Sequence, residues 1–516
     1  MAYDIILFTD SVIDTWRLRS NGAYRLATEL RQNGYTVKVI DWTCHIFSDH
    51  RLSLKIIKSL IGANTLFVGF SGSHFHRMNV TNNTFDRFDR YQSALGTKPY
   101  PYPGEQKLFE MTIFQMKKLN PKLKIAYGGS WANGAFKLSS KIDYVIDGFA
   151  DATIVELANH LKMGTPLRFM PGHYPTQKFI NHDKLGLSFD FPSSRTQYEP
   201  EDHVRMGEVM CIETSRGCMF KCSFCNFALT GRKATDPKYH KELTTLTEEL
   251  RHNWQNYRIN KYYILDDTFN ETTEKMQMVH QAVTDAGVPN FKFFAYLRLD
   301  LLKKHPEQIA LLKEMGLCAT YFGIESLNDE SLKIIAKPMK GKLIKSFLVE
   351  LKQQWGDQVV MHGSFIIGLP AETLETFYSW WPWVASNDCP LNSINLQHLS
   401  IDQALPSPFG IDLVKFGYEM LPIPGNTGPL YNWKNAVWDR SECKTIARKI
   451  NREIFLSRRK KAYAWETMGL QDLGYTFEHV RDTASLDFDR IELKNRMEQQ
   501  RDAYIKELFE YEGIEL

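Results

Sequence analysis

The stretch Cys218-Met-Phe-Lys-Cys222-Ser-Phe-Cys225 constrains this chain more than any other. It places three thiols within eight residues, at spacings of four and three. Residues 209–214 ahead of it read as a strand, with β-branched residues and no breaker. Ser215-Arg-Gly217 then turns the chain, so the sulfurs sit on a loop at a strand's C-terminal end. Short loops of this kind bring thiolates onto one soft metal centre. A closed zinc site takes four ligands, and this loop supplies three. Three thiolates leave one iron of a four-iron cluster open to an outside ligand. A zinc knuckle and three unrelated core cysteines are the other readings. Cys211 offers a fourth zinc ligand, but a strand would hold it back from the loop, as a core thiol.

Length and composition set the frame. A chain of 516 residues with 43% hydrophobic content implies two or three globular domains. With 63 basic and 60 acidic residues the net charge is +3, which gives no electrostatic footprint for nucleic acid or an anionic membrane. Eight cysteines at this length do not form a disulfide framework, and three with metal spacing suit a reducing cytoplasm. No run of about 18 apolar residues occurs, so no membrane span is expected. The N-terminal Ile5-Ile-Leu-Phe8 reads as a first strand rather than a signal peptide.

Residues 1–165 alternate strands with helices. Strands are read at 4–8, 36–40, 66–71, 124–129 and 144–148, with helical spacing over Ala23, Leu26, Ala27 and Leu30 and again at 52–61 and 105–119. This pattern implies a Rossmann-like, doubly wound parallel sheet, whose ligands bind beyond the strand C-termini. Thr9, Asp10, Ser71, Gly72, Ser73, Gly128, Gly129, Ser130 and Gly148 then surround one crevice, where glycines let a large ligand approach the backbone. His74 and His76 follow the same strand end. Residues 77–106 form a long polar and aromatic loop. Residues 166–207 carry Pro166, Pro171, Gly172, Pro175 and Pro192 with little periodicity and read as a linker. From 208 to 420 a second alternation follows, with strands at 209–214, 261–265, 291–297, 319–324, 359–367 and 392–398. Six β/α units make a partial barrel whose site lies at the strands' C-terminal ends. Residues 421–516 read as a helical region, with a short basic run at 457–461.

The cysteine spacing, with Phe224 before the third thiol, resembles the signature of the radical S-adenosylmethionine (SAM) superfamily. Four more stretches resemble that family in order: Ile264-Leu-Asp-Asp-Thr-Phe-Asn270, Tyr296-Leu-Arg-Leu-Asp300, Tyr321-Phe-Gly-Ile-Glu-Ser326 and Gly363-Ser-Phe-Ile-Ile-Gly-Leu-Pro-Ala-Glu-Thr373. The resemblance implies that Cys218, Cys222 and Cys225 hold a [4Fe-4S] cluster whose open iron chelates SAM. It places Phe224 near the adenine, and Asp266 and Asp267 near the SAM amino group. It pairs Arg298 with the SAM carboxylate, sets Glu325 and Ser326 at the ribose, and lays Gly368 against adenine. The first segment resembles the cobalamin-binding domain that precedes many radical SAM domains, through the run Ser20–Asp41, Tyr127-Gly-Gly-Ser130 and Asp143-Tyr-Val-Ile-Asp-Gly148. It has no Asp-x-His-x-x-Gly, and Gly148-Phe-Ala-Asp151 stands where that family has an acidic glycine turn.

The resemblance implies a cobalamin-dependent C-methyltransferase. Its substrate is a small molecule or a peptide, and its electrons come from a donor such as flavodoxin or ferredoxin. Cyclisation, rearrangement or methylthiolation by the same SAM cleavage is one alternative. A zinc-binding interaction protein without catalysis is another.

Overall fold

The structure is a computed structural model that describes residues 3–10, 18–71, 105–129, 139–172, 174–181, 189–227, 236–401, 407–421, 432–457, 464–484 and 487–515. The chain divides into two compact units. Met1–Asp190, Arg195–Arg205 and Lys494–Leu516 form the first; Phe191–Ser194 and Met206–Leu493 form the second.

The first unit is a seven-stranded sheet. Its strands are β1 (Ile5–Phe8), β2 (Val37–Ile40), β3 (Phe67–Ser71), β4 (Lys124–Gly128), β5 (Tyr144–Asp147), β6 (Met170–Pro171) and β7 (Lys178–Asn181), in the order β2-β1-β3-β4-β5-β7-β6. All pairs are parallel except β6 with β7. Short apolar strands buried along their length require helices on both faces. Asn21–Gln32, His50–Leu60, Glu105–Leu119 and Asp151–Met163 are the helices between them. The order reverses between β1 and β3, and such a switch point opens a ligand crevice beyond the strand ends.

Part of the expected 166–207 linker belongs to this sheet: β6 and β7 extend it past β5. At two and four residues they are too short to leave a periodic trace. Arg195–Arg205 also packs on the first unit, where Arg31 forks onto both Asp202 carboxylate oxygens at 2.8 Å. The final helix, Arg490–Glu512, brings Tyr504, Leu508 and Phe509 into the core formed by Ile6, Phe8, Ile40, Phe47 and Phe70. The region 421–516 is therefore not one body; its end completes the first sheet's core.

The second unit holds β8 (Met210–Ile212), β9 (Lys261–Ile264), β10 (Lys292–Leu297), β11 (Leu317–Glu325), β12 (Val360–Ile367) and β13 (Ser393–His398). They run in sequential order and parallel throughout. Leu243–Tyr257, Thr273–Ala286, Leu299–Lys304, Glu307–Glu314, Asp329–Ile334, Gly341–Trp355 and Leu374–Ala385 are the connecting helices. Their ends carry local signals: Thr272 Oγ1 accepts from the Lys275 N–H, and Gly287 at φ +67° ends that helix. This is the expected six-unit β/α array, with all strand C-termini on one rim.

Three tail elements complete this unit. A hairpin of β14 (Glu419–Leu421) and β15 (Asn432–Lys434) brings Trp433 over Gly368, whose Cβ position lies 2.6 Å from the Trp433 ring. Helix Arg440–Leu456 covers the edge strand β13, where Asn451 pairs with both the N–H (3.0 Å) and the C=O (2.7 Å) of Leu396. That amide stands in for a further strand and closes an open edge. Helix Ala464–Asp472 packs against β9 to β12, and Asp472 accepts from the Val209 N–H at 2.7 Å.

Candidate active site

The cysteine loop begins where β8 ends, and a buried carboxylate fixes its start. Asp266, just past β9, accepts from the Thr214 N–H (2.7 Å), the Ser215 N–H (3.0 Å), the Ser215 hydroxyl (2.9 Å) and the Thr214 hydroxyl. Lys275 Nζ pairs with the same carboxylate at 2.7 Å and also meets Glu271 at 3.0 Å. Burial pushes the Asp266 pKa up, but Lys275 and these hydrogen bonds outweigh it and hold the group below the usual carboxylate range. Gly217 at φ +73° then makes the turn into Cys218. Further along, Ser223 donates its N–H to Ile335 O (3.3 Å) and its hydroxyl to Ile334 O (3.0 Å), while its carbonyl accepts from the Phe409 N–H at 3.1 Å. The loop is thus tied to the ends of β9, β11's following helix and the segment after β13.

The three thiols face a mixed field. Cys222 is buried, and Cys218 and Cys225 are half-buried. Burial pushes the Cys218 thiol up, and the Cys225 thiol up to about 11, with the charges of Asp267 and the neighbouring cysteines adding to it. Cys218 Sγ lies 3.6 Å from the Thr268 hydroxyl. Arg298 Nη1 donates to Cys222 Sγ at 3.3 Å. A thiol that ligates a metal gives up its proton, and a cationic donor beside these sulfurs suits an anionic cluster. Among the described residues, no three His, Cys, Asp or Glu side chains close on a point as a single ion needs. The donor set nonetheless fits a cluster, which takes its thiolates at separate corners.

The expected SAM contacts sort into two groups. Phe224 is half-buried on the loop, and Asp267 is exposed at the end of β9, close enough for its charge to act on Cys218, Cys225 and Tyr296. Glu325 is buried at φ +72°, after a register shift between Gly323 and Glu325, with Lys337 Nζ 3.5 Å away. Burial raises its pKa and Lys337 opposes the rise. A side chain held in this region costs about 1–3 kcal/mol and marks functional sites. Phe224 and Asp267 thus keep exposed surface at the rim, and Glu325 holds a strained pose there.

The other four are engaged elsewhere. Asp266 is saturated by the clamp just described. Arg298 gives Nε and Nη2 to Asp300 at 2.9 and 3.0 Å and Nη1 to Cys222, so its fork meets the loop rather than standing open for a SAM carboxylate. Ser326 donates its hydroxyl to Glu372 (2.9 Å) and accepts from the Asn328 N–H (3.0 Å). Gly368 sits at φ +96° under Trp433, and its carbonyl accepts from the Tyr418 hydroxyl at 2.7 Å. A Cβ there would meet the Trp433 ring and Cys443 Sγ, so packing alone already requires glycine.

Sequence reasoning missed Thr268, Phe220, Lys275 and the role of Glu372. Thr268 was visible inside its motif; the partners of the others come from separate elements. Below the rim, Tyr296, Tyr321, His362 and Ser393 fall in one register row. The Tyr263 and Tyr296 hydroxyls are 2.8 Å apart, Tyr321 stacks on His362 at 4.7 Å, and His362 Nδ1 meets the Ser393 hydroxyl at 2.7 Å. Burial pushes His362 down to about 3, so this row is neutral.

In the first unit, Thr9 and Asp10 follow β1, Ser71 closes β3, Gly128 and Gly129 follow β4, and Gly148 follows β5. Thr9, Asp10 and Ser71 flank the switch point. Thr9 Oγ1 is buried with no hydrogen-bond partner among the described residues, an orphan that a ligand group can satisfy. Gly129 (φ +127°) and Gly148 (φ +84°) lie in the region that favours glycine. Gly72, Ser73, Ser130, His74, His76 and nearly all of the 77–106 loop fall outside the described residues, as does most of the basic run at 457–461.

Residues 212–379 match the radical SAM superfamily. An uncharacterised methyltransferase of Pyrococcus horikoshii is 28% identical over 277 residues, covering 50% of this chain and 57% of its own length. The hopanoid C-2 methylase of Rhodopseudomonas palustris is 25% identical over 229 residues, covering 44% of this chain and 41% of its own. The chain therefore spans about half the length of the curated relatives it matches. Among solved structures, the radical SAM methyltransferase TsrM of Kitasatospora setae, with cobalamin and a [4Fe-4S] cluster bound, has a TM-score of 0.63 at 16% identity. That match covers 98% of this chain and 100% of TsrM. The cobalamin-dependent SAM radical enzyme OxsB, with aqua-cobalamin and SAM bound, has a TM-score of 0.58 at 13% identity, covering 98% and 72%. At such identities the likeness is one of fold. No helix among the described residues is long and apolar enough to cross a membrane. The chain thus shares the fold of TsrM and OxsB, and its residues 212–379 match the radical SAM family model.

Proposed function

We propose that the protein is a radical SAM enzyme that transfers a methyl group from cobalamin to a carbon of a small-molecule or peptide substrate. The observation that carries the reading is the clamped loop of Cys218, Cys222 and Cys225 at the rim of a parallel six-stranded array. When bound, the cluster supplies the electron that splits SAM into methionine and a 5′-deoxyadenosyl radical, and cobalamin supplies the methyl group.

The chain's own residues hold, orient and shield. Cys218, Cys222 and Cys225 would ligate three irons. Asp267, which is exposed, would meet the SAM ammonium, Phe224 the adenine, and Glu325 the ribose hydroxyls. Thr9 Oγ1 and the glycines after β4 and β5 would meet cobalamin. Tyr296 and Tyr321 of the neutral row, with Tyr263 beside them, would offer a substrate hydroxyls and ring faces without a charge to desolvate, over the buried His362. A flavodoxin or ferredoxin would serve as electron donor.

Anaerobic reconstitution with iron, sulfide and cobalamin, then addition of SAM and reductant, tests this. Formation of both 5′-deoxyadenosine and S-adenosylhomocysteine supports methyl transfer. Deoxyadenosine alone would leave cyclisation, rearrangement or methylthiolation. Stoichiometric zinc without sulfide would reject both and leave a zinc-binding interaction protein.

A further inference from the structure

We propose that Arg298 is a positioning residue that raises the reduction potential of the cluster, by donating a charged hydrogen bond to the Cys222 sulfur. The inference rests on a four-iron cluster occupying the Cys218–Cys225 loop.

The guanidinium is fixed by its neighbours with Nη1 turned toward sulfur. Nε and Nη2 donate to the two Asp300 oxygens at 2.9 and 3.0 Å. Its carbon lies 3.9 Å from the Phe220 ring centroid, a cation–π contact from within the loop itself. Asn270 pins the backbone from both sides: it accepts from the Arg298 N–H at 2.9 Å and donates to the Arg298 C=O at 3.1 Å. What remains is Nη1, aimed at Cys222 Sγ at 3.3 Å. Both residues are buried, at 7% and 9% exposure, so water screens the contact little.

The contact acts in one direction. Reduction, [4Fe-4S]2+ + e− → [4Fe-4S]+, adds negative charge, and part of it falls on the ligating sulfurs. Hydrogen bonds to those sulfurs are among the settings of cluster potential, and a charged donor in a buried site favours the more negative state. Asp300 moderates the charge of Arg298 but leaves the N–H···S bond in place. Removing the guanidinium therefore makes the cluster harder to reduce.

The test uses the full chain, anaerobically reconstituted and free of SAM, with the electron supplied by an electrode through a mediator dye. Reduced cluster is read by electron paramagnetic resonance, and iron and sulfide are assayed in parallel. With Arg298→Gln, the ratio of reduced to oxidised cluster at a fixed potential is expected to fall about tenfold, equivalent to a midpoint about 59 mV lower. Arg298→Lys, which keeps the charge but not the fork, is expected to fall between, and supplies the reading if the Gln variant loads poorly. An unchanged midpoint in a fully loaded variant overturns the proposal. So does a variant that loses iron and sulfide while its remaining cluster keeps the wild-type midpoint, because Arg298 would then only brace the loop. So does weaker SAM binding with an unchanged SAM-free midpoint, which would give the guanidinium back to the SAM carboxylate. A wild-type protein that assembles no cluster fails the underlying reading instead, and is recognised before any variant is compared.

Discussion

Asp266 and Glu372 are two buried carboxyl groups at the same rim with opposite electrostatics. Asp266 faces an ammonium and four donors and stays ionised. Its pKa lies below that of the unfolded chain, so its stabilisation is present above the ordinary carboxylate range and is lost as pH falls through the folded value. Asp266→Ala leaves Lys275 buried without its nearest partner and should cost about 3–5 kcal/mol, measurable by chemical denaturation of the cluster-free protein. Glu372 pairs with no cation among the described residues. One oxygen accepts from Ser326 and the Trp380 indole, the other is buried without a partner, and burial raises the group to about 8. The folded state thus holds a proton that the unfolded state releases, so stability should fall as pH rises from the ordinary Glu range toward 8. Glu372→Gln should match the wild type near pH 5 and gain on it by up to about 1.4 kcal/mol per pH unit above that, seen in paired denaturation curves. The cysteine triad was legible because metal-ligand spacing is local in the chain. The fate of Asp266 was not, because Thr214, Ser215 and Lys275 reach it from two other elements.

Strands β8 to β13 were legible to within a few residues, and so were the longer helices between them. Apolar period and glycine stops are properties of contiguous sequence. The edges were not. β13 ends the array, and only the folded chain shows that helix Arg440–Leu456 covers it through Asn451. Asn451→Ala would leave the Leu396 N–H and C=O exposed or unpaired, at a cost of about 1–3 kcal/mol. Hydrogen exchange should report it as faster exchange at the Leu396 amide, with the amides of β10 unchanged; equal rates at Leu396 would show that the edge is closed by other means. Gly368 teaches the same lesson. Its motif reads as a ligand approach, and only the fold shows that Trp433 of β15 lies where a Cβ would point.

On the scale of the molecule, the last helix returns to the first sheet. Lys38 on β2 is buried and pairs with Glu512 at 2.8 Å, beneath the Tyr511 ring at 4.8 Å, and Tyr3 donates to the same carboxylate at 2.7 Å. Glu512→Ala should destabilise the first unit by about 3–5 kcal/mol, through an uncompensated buried ammonium, whereas the pair Lys38→Met with Glu512→Leu should recover most of that loss. Limited proteolysis and denaturation of the two variants would check it; a double variant as weak as the single one would place the cost elsewhere. The sequence by itself determined the two strand–helix alternations, the rim that carries the cysteines and the family resemblance, because each is written in neighbouring residues. Only the tertiary structure decided which rim side chains stay open to a ligand and which are occupied by clamps, and where the chain's end docks. Most of those outcomes depend on partners tens to hundreds of residues away, such as Thr214 for Asp266, Cys222 for Arg298 and Glu372 for Ser326, and no local pattern encodes them.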